Sequence, residues 1–116
     1  MSDKIDIIRS SSSGTVGRAH STVRGQMLRL DSSARPQADA LTNSEAFLAG
    51  ISSCGVTLIE GHAREVGWPL ARMDVVIEGV RTAAEPNRFA SVAMTFELAG
   101  VTQQQAESLV EIYRQR

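Results

Sequence analysis

The 116-residue chain sets 12 Lys and Arg against 13 Asp and Glu, for a net charge of −1, and contains one cysteine. That length suits a single domain, 1–116, around one hydrophobic core, and near-neutrality without a basic cluster argues against nucleic acid as a partner. No apolar run approaches the roughly 18 residues of a membrane span, and a lone thiol that can form no intramolecular disulfide fits a reducing compartment, so the cytoplasm is the expected location.

The opening Met1-Ser-Asp-Lys-Ile-Asp has mixed charges and no signal-peptide core. Residues Lys4 to Ser11 begin with Ile5, Ile7 and Ile8 and fade into a serine run ending at Gly14, which predicts a strand running out into a loop. Arg18 to Thr22, the Val23-Arg24-Gly25 turn signal and Gln26 to Leu30 predict two further strands, completing an amino-terminal β-meander. Asp31 to Leu41 holds Ser32, Ser33 and Pro36 without periodicity and reads as a loop of the length that often serves a site.

Thr42-Asn43-Ser44-Glu45 is a capping-box sequence: the Thr42 hydroxyl can accept an orphan amide while Glu45 reaches back to the cap. The helix it opens is uncharged from Ala46 to Ile59, apolar nearly all round, and is expected to be buried nearly all round. Gly50, Gly55 and Gly61 each cost about 1 kcal/mol against alanine there, which predicts close approach of another backbone. Gly67-Trp68-Pro69 ends the helix. Met73, Val75, Ile77 and Val80, then Phe89, Val92, Met94 and Phe96, predict a hairpin turning at residues 83–87. Thr102 caps a last helix with an apolar face of Ala106, Leu109, Val110 and Tyr113. The class is α+β.

Three segments, in this order and separation, resemble the OsmC/Ohr family of thiol-dependent peroxide reductases. They are Leu41 to Cys54, a capped helix leading through small residues to a cysteine; Gly67-Trp68-Pro69-Leu70 before a Val/Ile strand; and Arg88-Phe89-Ala90-Ser91-Val92 running to Leu98-Ala99-Gly100 and the last helix. The resemblance covers almost the whole chain. It implies an OsmC-like fold and an intertwined homodimer whose amino-terminal strands cross between subunits, with sites where helices meet at the interface. It implies Cys54 as the peroxidatic thiol, an organic or hydrogen peroxide as substrate, and an Arg and a Glu as stabilisers of the thiolate. Glu45 lies one residue beyond the family's carboxylate register, Arg18 is the arginine nearest the loop between the first two strands, and Arg9 is the next. The family's resolving cysteine, just past the final helix, would fall after Arg116, so recycling by an external thiol reductant is expected.

From the residues alone, two readings of Cys54 stay open, a nucleophile and an inert core cysteine. Glu45, nine positions before it, lies about 13 Å along the axis and on the opposite face, so a contact within one chain is not expected and one across a dimer interface is the alternative. His20 and His62 lack companions at ligand spacing, so no metal is expected, nor any cofactor. Met27, Met73, Met94 and Trp68 are read as core residues. Beside peroxide reduction stands a non-catalytic dimer holding a small apolar ligand at the same interface.

Overall fold

The computed structural model describes residues 3–115 and is α+β, in the order β1 (Arg9–Ser12), β2 (Arg18–Val23), β3 (Gln26–Asp31), α1 (Asn43–Glu65), β4 (Arg72–Val80), β5 (Ser91–Ala99) and α2 (Gln103–Arg114). It divides into two compact units, one ending at Phe47 and the other beginning at Leu48.

The first unit is an antiparallel sheet in the order β1-β2-β3. Val23 pairs with Gln26, so Arg24 and Gly25 form a two-residue hairpin loop with φ of 51° and 77°, the primed geometry that matches strand twist. The first strand is shorter and later than the sequence predicts. It holds only Arg9 to Ser12, while Ile5, Ile7 and Ile8 lie before it at 76%, 79% and 55% exposure. β-branched residues favour extended backbone, but a strand also needs a partner, and β2 offers one only for residues 9 to 12. Met27 is exposed as well, against expectation, because it stands next to the hairpin turn in a strand whose first four residues are all exposed.

The loop after β3 is laced to the sheet. Asp31 N–H donates to Leu41 O at 2.7 Å, and Leu41 N–H to Arg29 O at 3.3 Å, so the loop returns beside the strand it left. Asn43 N–H then donates to Ser32 Oγ at 2.9 Å. The capping box forms as the sequence predicts: Glu45 N–H donates to Thr42 Oγ1 at 3.1 Å, and Thr42 N–H to Glu45 Oε1 at 2.8 Å.

In the second unit, β4 and β5 pair antiparallel through nine consecutive residues, from Arg72↔Ala99 to Val80↔Ser91. Phe89 and Ala90 precede β5, and Val80 and Val92 at the loop end are exposed. Met73, Val75 and Ile77 share a face with Leu98, Phe96 and Met94. Ile59, Ala63, Met73 and Leu109 form the buried core, with Val56, Trp68, Phe96 and Tyr113 packed on it. Core membership holds for Met73, while Met94 and Trp68 are half-buried.

Helix α1 is not buried all round. Its buried residues are Gly55, Ile59 and Ala63, one line at i, i+4, i+8, and the rest of its surface is half-buried or exposed. Lack of charge in a helix does not supply a full neighbour for each side: among the described residues of α1 only the line facing Met73 and Leu109 is buried, while Ile51 and Val56 beside it are half-buried. Of the three helix glycines, Gly55 alone meets another element: a Cβ there would stand 3.3 Å from Tyr113 Cζ, whereas those on Gly50 and Gly61 would meet nothing within 4 Å. The helix ends at Gly67, whose φ of 73° suits a residue without a Cβ. Trp68 N–H donates back to Ala63 O at 2.9 Å and Gly67 N–H to Arg64 O at 3.3 Å, the paired bonds of a Schellman cap. At Thr102 a second capping box opens α2, with Gln105 as its reciprocal partner.

Candidate functional site

Cys54 belongs to the second unit. It sits on α1 beside the buried line rather than in it, and its side chain is exposed, which corrects the expectation of a thiol inside a buried helix. Local bonding fixes the helix around it. Thr57 Oγ1 donates to Cys54 O at 3.2 Å, and Ser52 Oγ to Leu48 O at 3.0 Å. One residue on, Gly55 lies against the Tyr113 ring, whose hydroxyl donates to Ile51 O at 3.1 Å. Tyr113 therefore holds the turn that carries the cysteine from its buried side and leaves the thiol on the open side.

Arg18 and Glu45 belong to the first unit, and each has a local partner there. Arg18 Nε donates to Asp31 Oδ2 at 2.9 Å. That bond uses one edge of a guanidinium that has five donors, and a third of the side chain is exposed, so its terminal amino groups are open to a second anion. Glu45 accepts the Thr42 amide through Oε1 and has Oε2 to spare. Arg9 lies in β1, fully among exposed residues.

Asp31 is the residue that the sequence reading passes over. Its side chain is buried, and it accepts from the Ser33 hydroxyl and amide, from Gln37 N–H at 2.9 Å and from Arg18. The Ser33 hydroxyl above all, then the backbone amides and the Arg18 charge, outweigh burial and lower its pKa from 3.8 to about 2. An Asp at a strand end followed by two serines is the sequence signal for such an Asx-centred loop. Its bonds are all to the loop and to Arg18, so what it does is hold that arginine and residues 31–37 in one geometry.

His62 is half-buried on α1, and its Nδ1 has no hydrogen bond, with the Glu65 carboxylate at 3.6 Å. Among the described residues no group of three or more His, Cys, Asp or Glu could hold a metal ion, and no helix is long and apolar enough to cross a membrane.

Solved structures with the same arrangement decide the fold. An OsmC-like protein from Mycoplasma pneumoniae superposes with a TM-score of 0.86 at 13% identity, over 99% of this chain and 84% of that one. The chain has the OsmC-like fold. An organic hydroperoxide resistance protein OsmC from Legionella pneumophila aligns with a TM-score of 0.75 at 22% identity, over 99% of this chain and 85% of that chain. The organic hydroperoxide resistance protein OhrB of Bacillus subtilis gives 0.67 at 14% identity, over 97% and 84%. No family model and no curated protein sequence matches the chain. The likeness to OsmC-like proteins is therefore one of backbone and element order, extending over both units.

Proposed function

We propose that the protein reduces small organic hydroperoxides, or hydrogen peroxide, through Cys54. The observation that carries this reading is an exposed thiol, the single cysteine of the sequence, on the central helix of a fold that proteins of organic hydroperoxide resistance share. In the step proposed, the Cys54 thiolate attacks the terminal peroxide oxygen and the O–O bond breaks. The departing alkoxide takes a proton to become the alcohol, and Cys54 is left as a sulfenic acid. An external thiol condenses with that sulfenic acid, releasing water and forming a mixed disulfide. A second thiol then returns Cys54 to its reduced state and leaves as the disulfide. A reducing compartment such as the cytoplasm supplies these thiols.

Arg18 and Glu45 are proposed as the cation and carboxylate that attend the thiolate, each through the end its local partner leaves open. They are supplied by a homodimer, which the uncovered surface of α1 and the exposed Ile5, Ile7 and Ile8 support as surfaces for a second copy.

A second reading is a dimer that binds a small apolar ligand without turnover. The engagement of Arg18 by Asp31 and of Glu45 by Thr42 favours it, since both side chains already have sufficient structural work. Mixing the native protein with cumene hydroperoxide in a stopped-flow instrument, and reading Cys54 sulfenic acid by mass spectrometry, separates the two. Oxidation well above that of a free thiol and abolished in Cys54→Ser is expected. A rate no faster than a free thiol would leave the binding reading in its place.

A further inference from the structure

Arg18 and His20 alternate along β2, and in β3 the residues opposite them are Asp31 and Arg29, so all four side chains share one face of the amino-terminal sheet. A cavity of about 210 Å³ lies there, and its lining includes Ser13, Arg18, His20, Met27, Arg29 and Gln37. Arg18 gives one N–H to Asp31, and Arg29 gives one to Asp39 at 2.8 Å, which leaves most of each five-donor fork unspent. The His20 ring and the Gln37 side-chain amide have no hydrogen-bond partner among the described residues. Nearby acceptors, by contrast, are occupied or stand elsewhere. Both Asp31 oxygens are taken, and the Ser13 hydroxyl donates to Arg18 O at 3.0 Å and accepts from Thr15 N–H at 3.1 Å. Asp39, Asp3, Asp6 and Glu45 do not line the cavity. The sheet and its loop, residues 9–41, hold five arginines and two aspartates with no lysine or glutamate, in a chain whose net charge is −1.

We propose that this cavity binds a small tetrahedral oxyanion, inorganic phosphate or the phosphoryl group of a small ester. A wall rich in donors and poor in free acceptors suits a ligand that only accepts. The donors come from β2, β3 and the loop after β3, so a group with acceptor oxygens on every side can use them together, whereas a carboxylate offers two oxygens in one plane. Asp31 and Asp39 offset the charges of Arg18 and Arg29. The hold therefore comes from directed, charge-assisted hydrogen bonds at short range, and the affinity expected is millimolar. Arg18 keeps donors enough for this group and for the thiolate beside which peroxide reduction would place it, and the inference does not depend on that reading.

The test is a titration of the full chain with inorganic phosphate at fixed pH and ionic strength, read from the imidazole NMR signals of His20 and His62. Saturable displacement of the His20 signals is expected, with those of His62 unmoved. Two variants break the same Arg29–Asp39 ion pair and are expected to act in opposite directions. Arg29→Gln removes a fork and weakens phosphate binding about tenfold, whereas Asp39→Asn frees a donor, removes a negative charge and strengthens it about threefold. Circular dichroism checks that both are folded. Glycerol phosphate titrated in parallel tells the ester from the free ion by which binds more tightly. The proposal is overturned if the His20 signals do not saturate at millimolar phosphate, or if acetate at the same ionic strength moves them equally. It is overturned too if both variants weaken phosphate binding alike, because the order of the loop and not the donors of Arg29 would then be what matters.

Discussion

The ring of Tyr113 lies where a Cβ on Gly55 would stand 3.3 Å from it, and the Tyr113 hydroxyl is tied to Ile51 O, one helical turn earlier. The α1 backbone and the α2 aromatic thus approach more closely than an alanine would accept without a shift, on the turn that bears Cys54. Ring and hydroxyl together leave little room for relaxation. Gly55→Ala gains about 1 kcal/mol of helix propensity but must displace a ring that is hydrogen-bonded and edge-on to Phe96. Gly61→Ala meets nothing within 4 Å. Urea titration is expected to show Gly61→Ala stabilised by about 1 kcal/mol and Gly55→Ala unchanged or destabilised. Equal gains at both sites would mean that the Tyr113 contact constrains nothing.

Asp31 gives the fold an acid-sensitive limb. Its pKa falls from 3.8 to about 2 on folding, so the unfolded chain binds the proton more readily between those values. The stability it contributes is fully present above pH 3.8 and is lost as the pH falls through about 2. In Asp31→Asn the stability is expected to be lower at neutral pH and this acid-dependent part of the denaturation profile to flatten. An unchanged slope between pH 4 and 2 would assign the acid response to other carboxylates.

Glu45 allows its two roles to be separated. A capping box accepts Gln in place of Glu, as Gln105 demonstrates in α2, so Glu45→Gln is expected to keep the thermal stability of the native chain. Glu45→Ala is expected to lose about 1 kcal/mol by thermal or urea unfolding. Against this background, the proposed part of the carboxylate in peroxide reduction predicts that Glu45→Gln slows Cys54 oxidation about tenfold, and a native rate in that variant would confine Glu45 to the cap.

Arg18→Lys probes the two-sided use of a guanidinium. Lysine can pair with Asp31 or with a second anion, but it lacks the planar fork that serves both at fixed geometry. The variant is expected to fold and to retain alkylation of Cys54 by iodoacetamide, while hydroperoxide oxidation falls about tenfold. Unaltered oxidation would leave Arg18 as the partner of Asp31 alone.

Local signals in the sequence translate directly into structure where the interaction is local. Thr42 with Glu45, Gly67 with Trp68, and the Arg24-Gly25 turn each depend on residues within a few positions, and each forms as expected. The α+β class and the OsmC-like fold are likewise readable, because the order of strands and helices survives where residue identity does not. What fails depends on partners distant in the chain. Ile5, Ile7 and Ile8 have the residue types of a strand but no strand opposite among the described residues. Ala46 to Ile59 has the apolarity of a core helix, yet among the described residues of α1 only Gly55, Ile59 and Ala63 are buried. Cys54 is legible in the sequence as a residue and as a helix position, but its exposure is not. Asp31 does not stand out in the sequence because a buried carboxylate is legible only once its donors, Ser33, Gln37 and Arg18, are folded round it.

The unbroken pairing of β4 with β5 also makes the chain easy to instrument. Nine matched pairs fix which side chains face inward, and the connection between the strands, residues 81–90, is exposed apart from Phe89. A residue inserted within either strand would reverse every side chain beyond it, whereas extra residues near Glu85 and Pro86 leave that alternation intact. A fluorophore or affinity handle could therefore be spliced there, giving a reporter in the same unit as Cys54 without altering the turn of helix that bears it.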